Sequence, residues 1–135
     1  MDTTTDSTTA QRHGRAVFHI ADLFELVAEA IPDRPALVGG DHRLTYGELD
    51  ERSNRLANHL IANGLEPGAT ISIYAWNRTE WVESLFGAYK ARAIPINVNY
   101  RYLADELRYI LDDSKSEALV FERSFAPIVA AVIAD

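Results

Sequence analysis

Ile71-Ser72-Ile73-Tyr74, then Asn77 to Tyr89, then Ile94-Pro95-Ile96-Asn97-Val98 is the run that decides the fold, and it reads as strand, helix, strand. Ile71 to Tyr74 is β-branched or aromatic at most positions and follows the turn signal Glu66-Pro67-Gly68, which suits a buried strand. Asn77 offers a side-chain oxygen to the first free amides of a helix, and Glu80 stands three residues on to complete a capping box. Trp81, Val82, Leu85, Phe86, Ala88 and Tyr89 recur at three- and four-residue spacings, an apolar face wide enough for a heavily packed helix. Two strands joined by a helical crossover of about a dozen residues are parallel neighbours, because a hairpin cannot carry that connection.

Working outward, Phe18 to Ile31 predicts a helix with Ile20, Leu23, Phe24, Val27 and Ala30 on one face, stopped by Pro32. Pro35 to Val38 and His42 to Leu44 predict a hairpin around Gly39-Gly40-Asp41. The next helix carries the clearest local signals. Thr45 caps it, Glu48 closes the box, and Leu44 and Leu49 form a hydrophobic staple across the cap. Tyr46, Leu49, Leu56 and Leu60 make its buried stripe, Gly64 is a left-handed terminator, and Leu65 folds back on Leu60. Beyond the central unit, Leu103 to Leu111 predicts a helix with Leu103, Leu107, Ile110 and Leu111 inward, ended by Asp112-Asp113-Ser114. Ala118 to Phe121 predicts a third parallel strand. Ser124 is read as the cap of a last helix that turns Phe125, Ile128, Val129 and Val132 to the sheet. The alternation of helix and strand defines an α/β fold with a mostly parallel sheet flanked by helices.

At 135 residues there is room for one domain or a piece of a larger one, burying roughly two-thirds of its unfolded surface if compact. The net charge of −7, with only two lysines, Lys90 and Lys115, argues against a nucleic-acid partner, since such proteins concentrate positive charge. The chain has no cysteine, which excludes disulfides, thiolate catalysis and cysteine-ligated metals. No apolar run approaches the ~18 residues of a membrane span, so no transmembrane segment is expected. Residues 1–16 read as a disordered polar tail rather than a signal peptide, ahead of a partial α/β subdomain over 17–135.

Candidate chemistry is sparse. His13, His19, His42 and His59 are not spaced as metal ligands; His42 reads as a solvent-facing strand position and His59 as a half-exposed structural residue. Asp112-Asp113 point different ways and mark a turn, while Asp105-Glu106 complement the positive end of a helix. Trp76, Trp81, Tyr100 and Tyr102 form an aromatic group suited to stacking on a ring or lining an acyl pocket, although core packing is the commoner fate of such side chains. Trp76 and Asn77 follow the carboxyl end of a parallel strand, where open α/β sheets place ligands. No glycine-rich phosphate loop and no nucleophile elbow occurs. The residues alone assign no catalytic, cofactor-binding or metal site.

Five stretches taken together carry a resemblance. They are Ile31-Pro32-Asp33-Arg34-Pro35-Ala36-Leu37, Leu44-Thr45-Tyr46-Gly47-Glu48-Leu49, Arg55-Leu56-Ala57-Asn58-His59-Leu60, Gly87-Ala88-Tyr89-Lys90-Ala91 and Ile94-Pro95-Ile96-Asn97. In that order and spacing, residues 20–135 resemble the beginning of an adenylate-forming acyl-CoA synthetase of the AMP-binding superfamily. Asn97 to Tyr102 with Glu106-Leu107-Arg108-Tyr109 is similar to the branch that activates long-chain fatty or steroid side-chain acids. The resemblance implies the N-terminal subdomain of that fold and a reaction in two halves: a carboxylate attacks ATP to give an acyl-adenylate, and coenzyme A then displaces AMP. ATP, Mg and coenzyme A are implied for the full-length family, and none for this chain.

The family's phosphate loop, nucleotide-binding segment, hinge and catalytic lysine lie downstream, so no functional residue is carried onto a position here. The chain departs from the family once: Arg92 stands where most members have glycine, although arginine also occurs there in the lipid-activating branch. A left-handed backbone at that point costs a non-glycine residue up to roughly 1–2 kcal/mol, so either the helix ends differently or Arg92 gains a partner.

The expectation is therefore the N-terminal fragment of a fatty-acid or steroid-acid CoA ligase of lipid metabolism. It is expected to be cytoplasmic, truncated and without ligase activity as this chain. Its expected partners are the missing C-terminal part of the ligase or another copy of itself. The rival reading is a non-catalytic α/β module that binds a long-chain or steroid carboxylic acid or complements a separate ATP-binding chain.

Overall fold

The structure, a computed structural model, describes residues 18–134. The polar tail assigned to residues 1–16 lies outside the described residues. In chain order the elements are α1 (Ile20–Ala30), β1 (Pro35–Gly39), β2 (His42–Thr45), α2 (Tyr46–Ala62), β3 (Thr70–Tyr74), α3 (Thr79–Lys90), β4 (Ile94–Val98), α4 (Ala104–Ser114), β5 (Ala118–Phe121) and α5 (Ala126–Ile133). A 3-10 turn, Arg123–Phe125, precedes the last helix.

The central unit folds as its sequence predicts. β3 and β4 run parallel from the Thr70–Ile94 pair to the Tyr74–Val98 pair, with α3 as the crossover. β5 joins in parallel on the other side of β3, so the strand order is β4-β3-β5. β3 is thus central, and Ile71 to Tyr74 are all buried, as a strand covered on both faces requires. β1 and β2 form a separate antiparallel hairpin.

Two apolar clusters flank the sheet. On one face Ala57, Leu60 and Leu65 from α2 and its end meet Ile71 and, from α3, Ala88. On the other, Tyr74 and Val98 meet Leu107 of α4 together with Phe125, Val129 and Val132 of the last turn and helix. The α3 and α4 crossovers therefore lie on opposite faces, as in a doubly wound sheet.

Leu49 and Leu60 of the predicted stripe are buried as expected, and beside them small residues fill the contact between α2 and α3: Ser53 and Ala57 on α2, Ser84, Gly87 and Ala88 on α3. A Cβ on Gly87 would stand 2.8 Å from Leu56 Cδ2, so glycine is what lets the helices approach. The Ser53 hydroxyl donates to the Glu83 carbonyl at 3.4 Å. Trp81, Val82, Leu85, Phe86 and Tyr89 stay half-buried around this seam.

Helix starts agree with the sequence in one case and correct it in others. Thr45 and Glu48 form the expected box: Thr45 Oγ1 accepts from the Glu48 N–H at 3.2 Å, and Glu48 Oε2 accepts from the Thr45 N–H at 2.9 Å. Asn77 does not cap α3. The helix begins two residues later, at Thr79, with Arg78 in the cap position and no side-chain cap bond. Ser124 lies in the 3-10 turn and caps nothing. α1 begins at Ile20 because the His19 ring accepts from the Ala21 N–H while Asp22 accepts from the His19 N–H. Leu103, expected inward, is 64% exposed, because it precedes the first turn of α4. Asp112-Asp113 lie within α4, which runs on to Ser114 before Lys115 turns left-handed.

Candidate functional site

The doubly wound order creates one crevice by topology. After β3 the chain turns to α3 on one face, and after β5 it turns to α5 on the other, so the carboxyl ends of these neighbouring strands part. Ala75, Arg78, Trp81, Ser84, Phe121 and Glu122 line a mainly apolar hollow there of about 220 Å³. That is smaller than the roughly 300–1,000 Å³ of sites that enclose drug-sized ligands, so this hollow by itself does not enclose a long acid.

Its charges are satisfied internally. Arg78 Nη1 lies 3.0 Å from Glu122 Oε1, and Arg78 Nε lies 3.4 Å from Glu80 Oε2. Glu80 is held below the usual carboxylate range, first by a hydrogen bond from its own backbone N–H at the start of α3, then by Thr79 and Arg78. One guanidinium between two carboxylates leaves no spare positive charge for an incoming acid group.

Of the four aromatics singled out in sequence, the structure brings two together. Trp76 and Tyr100 meet with ring centroids 4.5 Å apart and planes tilted by 37°, and Phe125, which sequence reasoning did not include among them, lies 5.5 Å from Trp76 and stacks on Tyr74 at 4.3 Å. The row Tyr74-Phe125-Trp76-Tyr100 closes the carboxyl end of the sheet on the α5 side, and Arg101 lies over Tyr100 at 4.9 Å. Trp76 remains 42% exposed at its end. Trp81 is apart, on α3 in the crevice wall, and Tyr102 contributes its carbonyl to the Tyr74 hydroxyl at 2.5 Å. Burial raises the Tyr74 phenol above its ordinary range, with Glu106 adding to the effect, so it stays a neutral donor. Asn77 is exposed, His42 is exposed as expected, and His59 is more exposed than the half-exposed position expected of it.

Two polar clusters went unread in the sequence. Lys90 Nζ lies 2.5 Å from Glu25 and 2.8 Å from Asp50, above the Phe24 ring, with its side chain 4% exposed. It joins α1, α2 and α3. Ser72, fully buried on β3, shares a 2.5 Å hydrogen bond with Ser116, whose hydroxyl meets Ser114 at 2.8 Å, while Thr70 donates to the Ser114 carbonyl at 2.9 Å. The only signals for these were a lysine inside an apolar helix face and a serine inside an apolar strand. Neither cluster holds a base poised on a nucleophile. Among the described residues no group of three or more His, Cys, Asp or Glu is placed to hold a metal ion.

Helices on both faces of a parallel sheet, with a crevice at the strand carboxyl ends, define a doubly wound α/β layer of the kind that begins acyl-CoA synthetase-like folds. Residues 24–134 match the AMP-binding enzyme family, and the chain belongs to it. Over 117 residues it is 50% identical to a medium/long-chain-fatty-acid–CoA/3-oxocholest-4-en-26-oate–CoA ligase from Mycobacterium marinum, covering 87% of this chain and 21% of that protein. It is 46% identical over 115 residues to a 3-oxocholest-4-en-26-oate–CoA ligase from Rhodococcus rhodochrous, covering 85% and 21%.

Among solved structures, it superposes on the N-terminal domain of FACL13 from Mycobacterium tuberculosis with a TM-score of 0.82 and 29% identity, covering 87% of this chain and 31% of that one. A fatty acyl CoA synthetase from the same organism gives 0.80 and 29%, covering 87% and 24%. The chain matches the N-terminal portion of these ligases and spans about a fifth of the length of the curated relatives. No helix among the described residues is long and apolar enough to cross a membrane.

Proposed function

We propose that this chain is the N-terminal layer of a cytoplasmic ATP-dependent ligase that converts a medium- or long-chain fatty acid, or a steroid side-chain acid, into its CoA ester. The complete enzyme would use ATP, Mg and coenzyme A, forming an acyl-adenylate and then the thioester. The single observation that carries the reading is 46–50% identity to ligases named for 3-oxocholest-4-en-26-oate over at least 115 residues. In that enzyme the present residues supply scaffold: a rigid parallel sheet with its carboxyl end closed by aromatic rings and a neutralised Arg78. The groups that bind ATP and move the acyl unit come from the remainder of the ligase, which is the natural partner of this surface.

The test compares two preparations supplied with ATP, Mg and coenzyme A, with palmitate or 3-oxocholest-4-en-26-oate as the acid. The 135-residue chain alone is expected to form no acyl-CoA. The chain co-expressed with the rest of the Mycobacterium marinum ligase is expected to form it. Thioester formation by the isolated chain, or an inactive co-expressed complex, overturns the proposal.

A further inference from the structure

α1 and α2 open on the same kind of cap, built from different chemistry. At α2 the acceptor is a hydroxyl, Thr45 Oγ1, which takes the Glu48 N–H at any pH near neutral. At α1 it is a ring nitrogen: His19 Nδ1 accepts from the Ala21 N–H at 3.2 Å, while Asp22 Oδ2 accepts from the His19 N–H at 3.0 Å. Nδ1 accepts only while it carries no proton, which puts the single proton of the neutral ring on Nε2. Imidazole is the side chain that ordinarily gains a second proton between about pH 5 and 8. Both ring nitrogens are then donors, so Nδ1–H confronts the Ala21 N–H and a cation stands at the positive end of the helix.

The groups around the ring do not offset that loss. On α1 itself Asp22 is the near carboxylate, and its charge is already met, since Oδ1 accepts from Arg92 at 2.7 Å. From α3, Tyr89 sets its ring edge-on to the imidazole with centroids 6.1 Å apart. Lys90 and Glu25, one turn further along α1, pair with each other. His19 is half-buried, so protons reach it from solvent.

The cap also reaches a distant turn. Asp22 sits in the first turn of α1 and ties Arg92 at φ 60, and the Arg92 carbonyl accepts from the Gly68 N–H at 2.9 Å. Fraying that first turn frees Asp22, and with it the tie on a non-glycine residue held left-handed between α3 and β4.

We infer that His19 is a pH-switched cap: its neutral ring closes the first turn of α1, and its protonation opens that turn and slackens the Arg92 turn between α3 and β4. The acid response of Asp22 lies lower, because Arg92 first and the His19 N–H next hold its carboxyl below the ordinary value, so the two are told apart by pH.

The test is NMR on the labelled 135-residue chain at about pH 7.5 and about pH 5.5, a span that crosses the ordinary histidine range and stays above that of carboxylates. With exchange corrected for its intrinsic pH dependence, Ala21 is expected to lose about fivefold in protection, the equilibrium factor of a typical helix cap. Arg92 and Ala93 are expected to lose less, and Glu48 nothing. At the upper pH the ring is expected to carry its proton on Nε2. His19→Asn supplies an uncharged oxygen and is expected to keep Ala21, Arg92 and Ala93 equally protected at both values. A neutral ring protonated on Nδ1, an Ala21 amide indifferent to pH, or a His19→Asn chain that responds as the parent does overturns the switch. A response at Ala21 that leaves Arg92 and Ala93 unmoved overturns its reach to the second turn.

Discussion

The two longest helices end in the same hydrogen-bond pattern on opposite kinds of residue. At the end of α2, Leu65 N–H donates to the Leu60 carbonyl and Gly64 N–H to the Ile61 carbonyl, with Gly64 at φ 91. At the end of α3, Ala93 N–H donates to the Ala88 carbonyl and Arg92 N–H to the Tyr89 carbonyl, with Arg92 at φ 60. Glycine enters the left-handed region without a Cβ to crowd, whereas arginine there carries about 1–2 kcal/mol of strain. What the second end has in exchange is a tertiary tie: Arg92 Nη2 meets Asp22 at 2.7 Å, and two residues earlier Lys90 meets Glu25. Phe24 stacks on Phe86 at 4.0 Å between the two ties. The same local geometry is thus reached intrinsically at one end and by gripping α1 at the other.

The largest expected effect breaks the apolar lock at the first end. Leu65, 8% exposed, packs in the same cluster as Leu60, and Leu65→Ala is expected to cost about 2–4 kcal/mol in urea unfolding. A loss under about 1 kcal/mol would show that the lock is not anchored by that side chain. Next comes the grip at the second end. Lys90→Met leaves Glu25 and Asp50 without their cation. Since those carboxylates keep some contact with water, the expected cost is about 1–3 kcal/mol, below the range for fully buried pairs. α1 amides should lose exchange protection before those of α2, and uniform loss would contradict the grip.

Swapping the terminators sharpens the contrast. A Cβ on Gly64 would meet no atom within 4 Å beyond its chain neighbours, so Gly64→Ala reports backbone strain alone, expected at about 1–2 kcal/mol. Arg92→Gly relieves strain but loses the Asp22 tie, and is expected to stay within about 1 kcal/mol of the parent. Equal losses at both positions would erase the distinction.

The smallest effect is in acid. Asp22 is held below its ordinary value first by the hydrogen bond from Arg92 and next by the His19 N–H. A carboxyl depressed in the folded state stabilises it above about pH 4 and loses that contribution as pH falls through the folded value. Asp22→Asn is therefore expected to narrow the gap between urea midpoints measured at pH 7 and at pH 3. An unchanged gap would remove Asp22 from the acid response.

Glycine's end of the comparison was legible in the sequence, and so were the Thr45-Glu48 box, the β3-α3-β4 unit and the family resemblance. Each rests on periodicity or on side chains reaching backbone a few residues away. The Arg92 end was legible only as a choice between two outcomes, because its partner stands 70 residues earlier in the chain. The aromatic row at the carboxyl end of the sheet was half legible. Trp76 was marked by its place after a strand, but Phe125 joins it through the packing of α5, and Asn77 lost its capping role when α3 began at Thr79.

What the sequence determined by itself is the order and type of the elements, since hydrophobic period and capping act over one or two turns of chain. Only the tertiary structure decided that β5 lies beside β3 rather than β4, that small residues seat α2 on α3, and that a left-handed arginine is held by α1. These are settled by which surfaces bury each other across long separations, and the local pattern of side chains does not encode that choice.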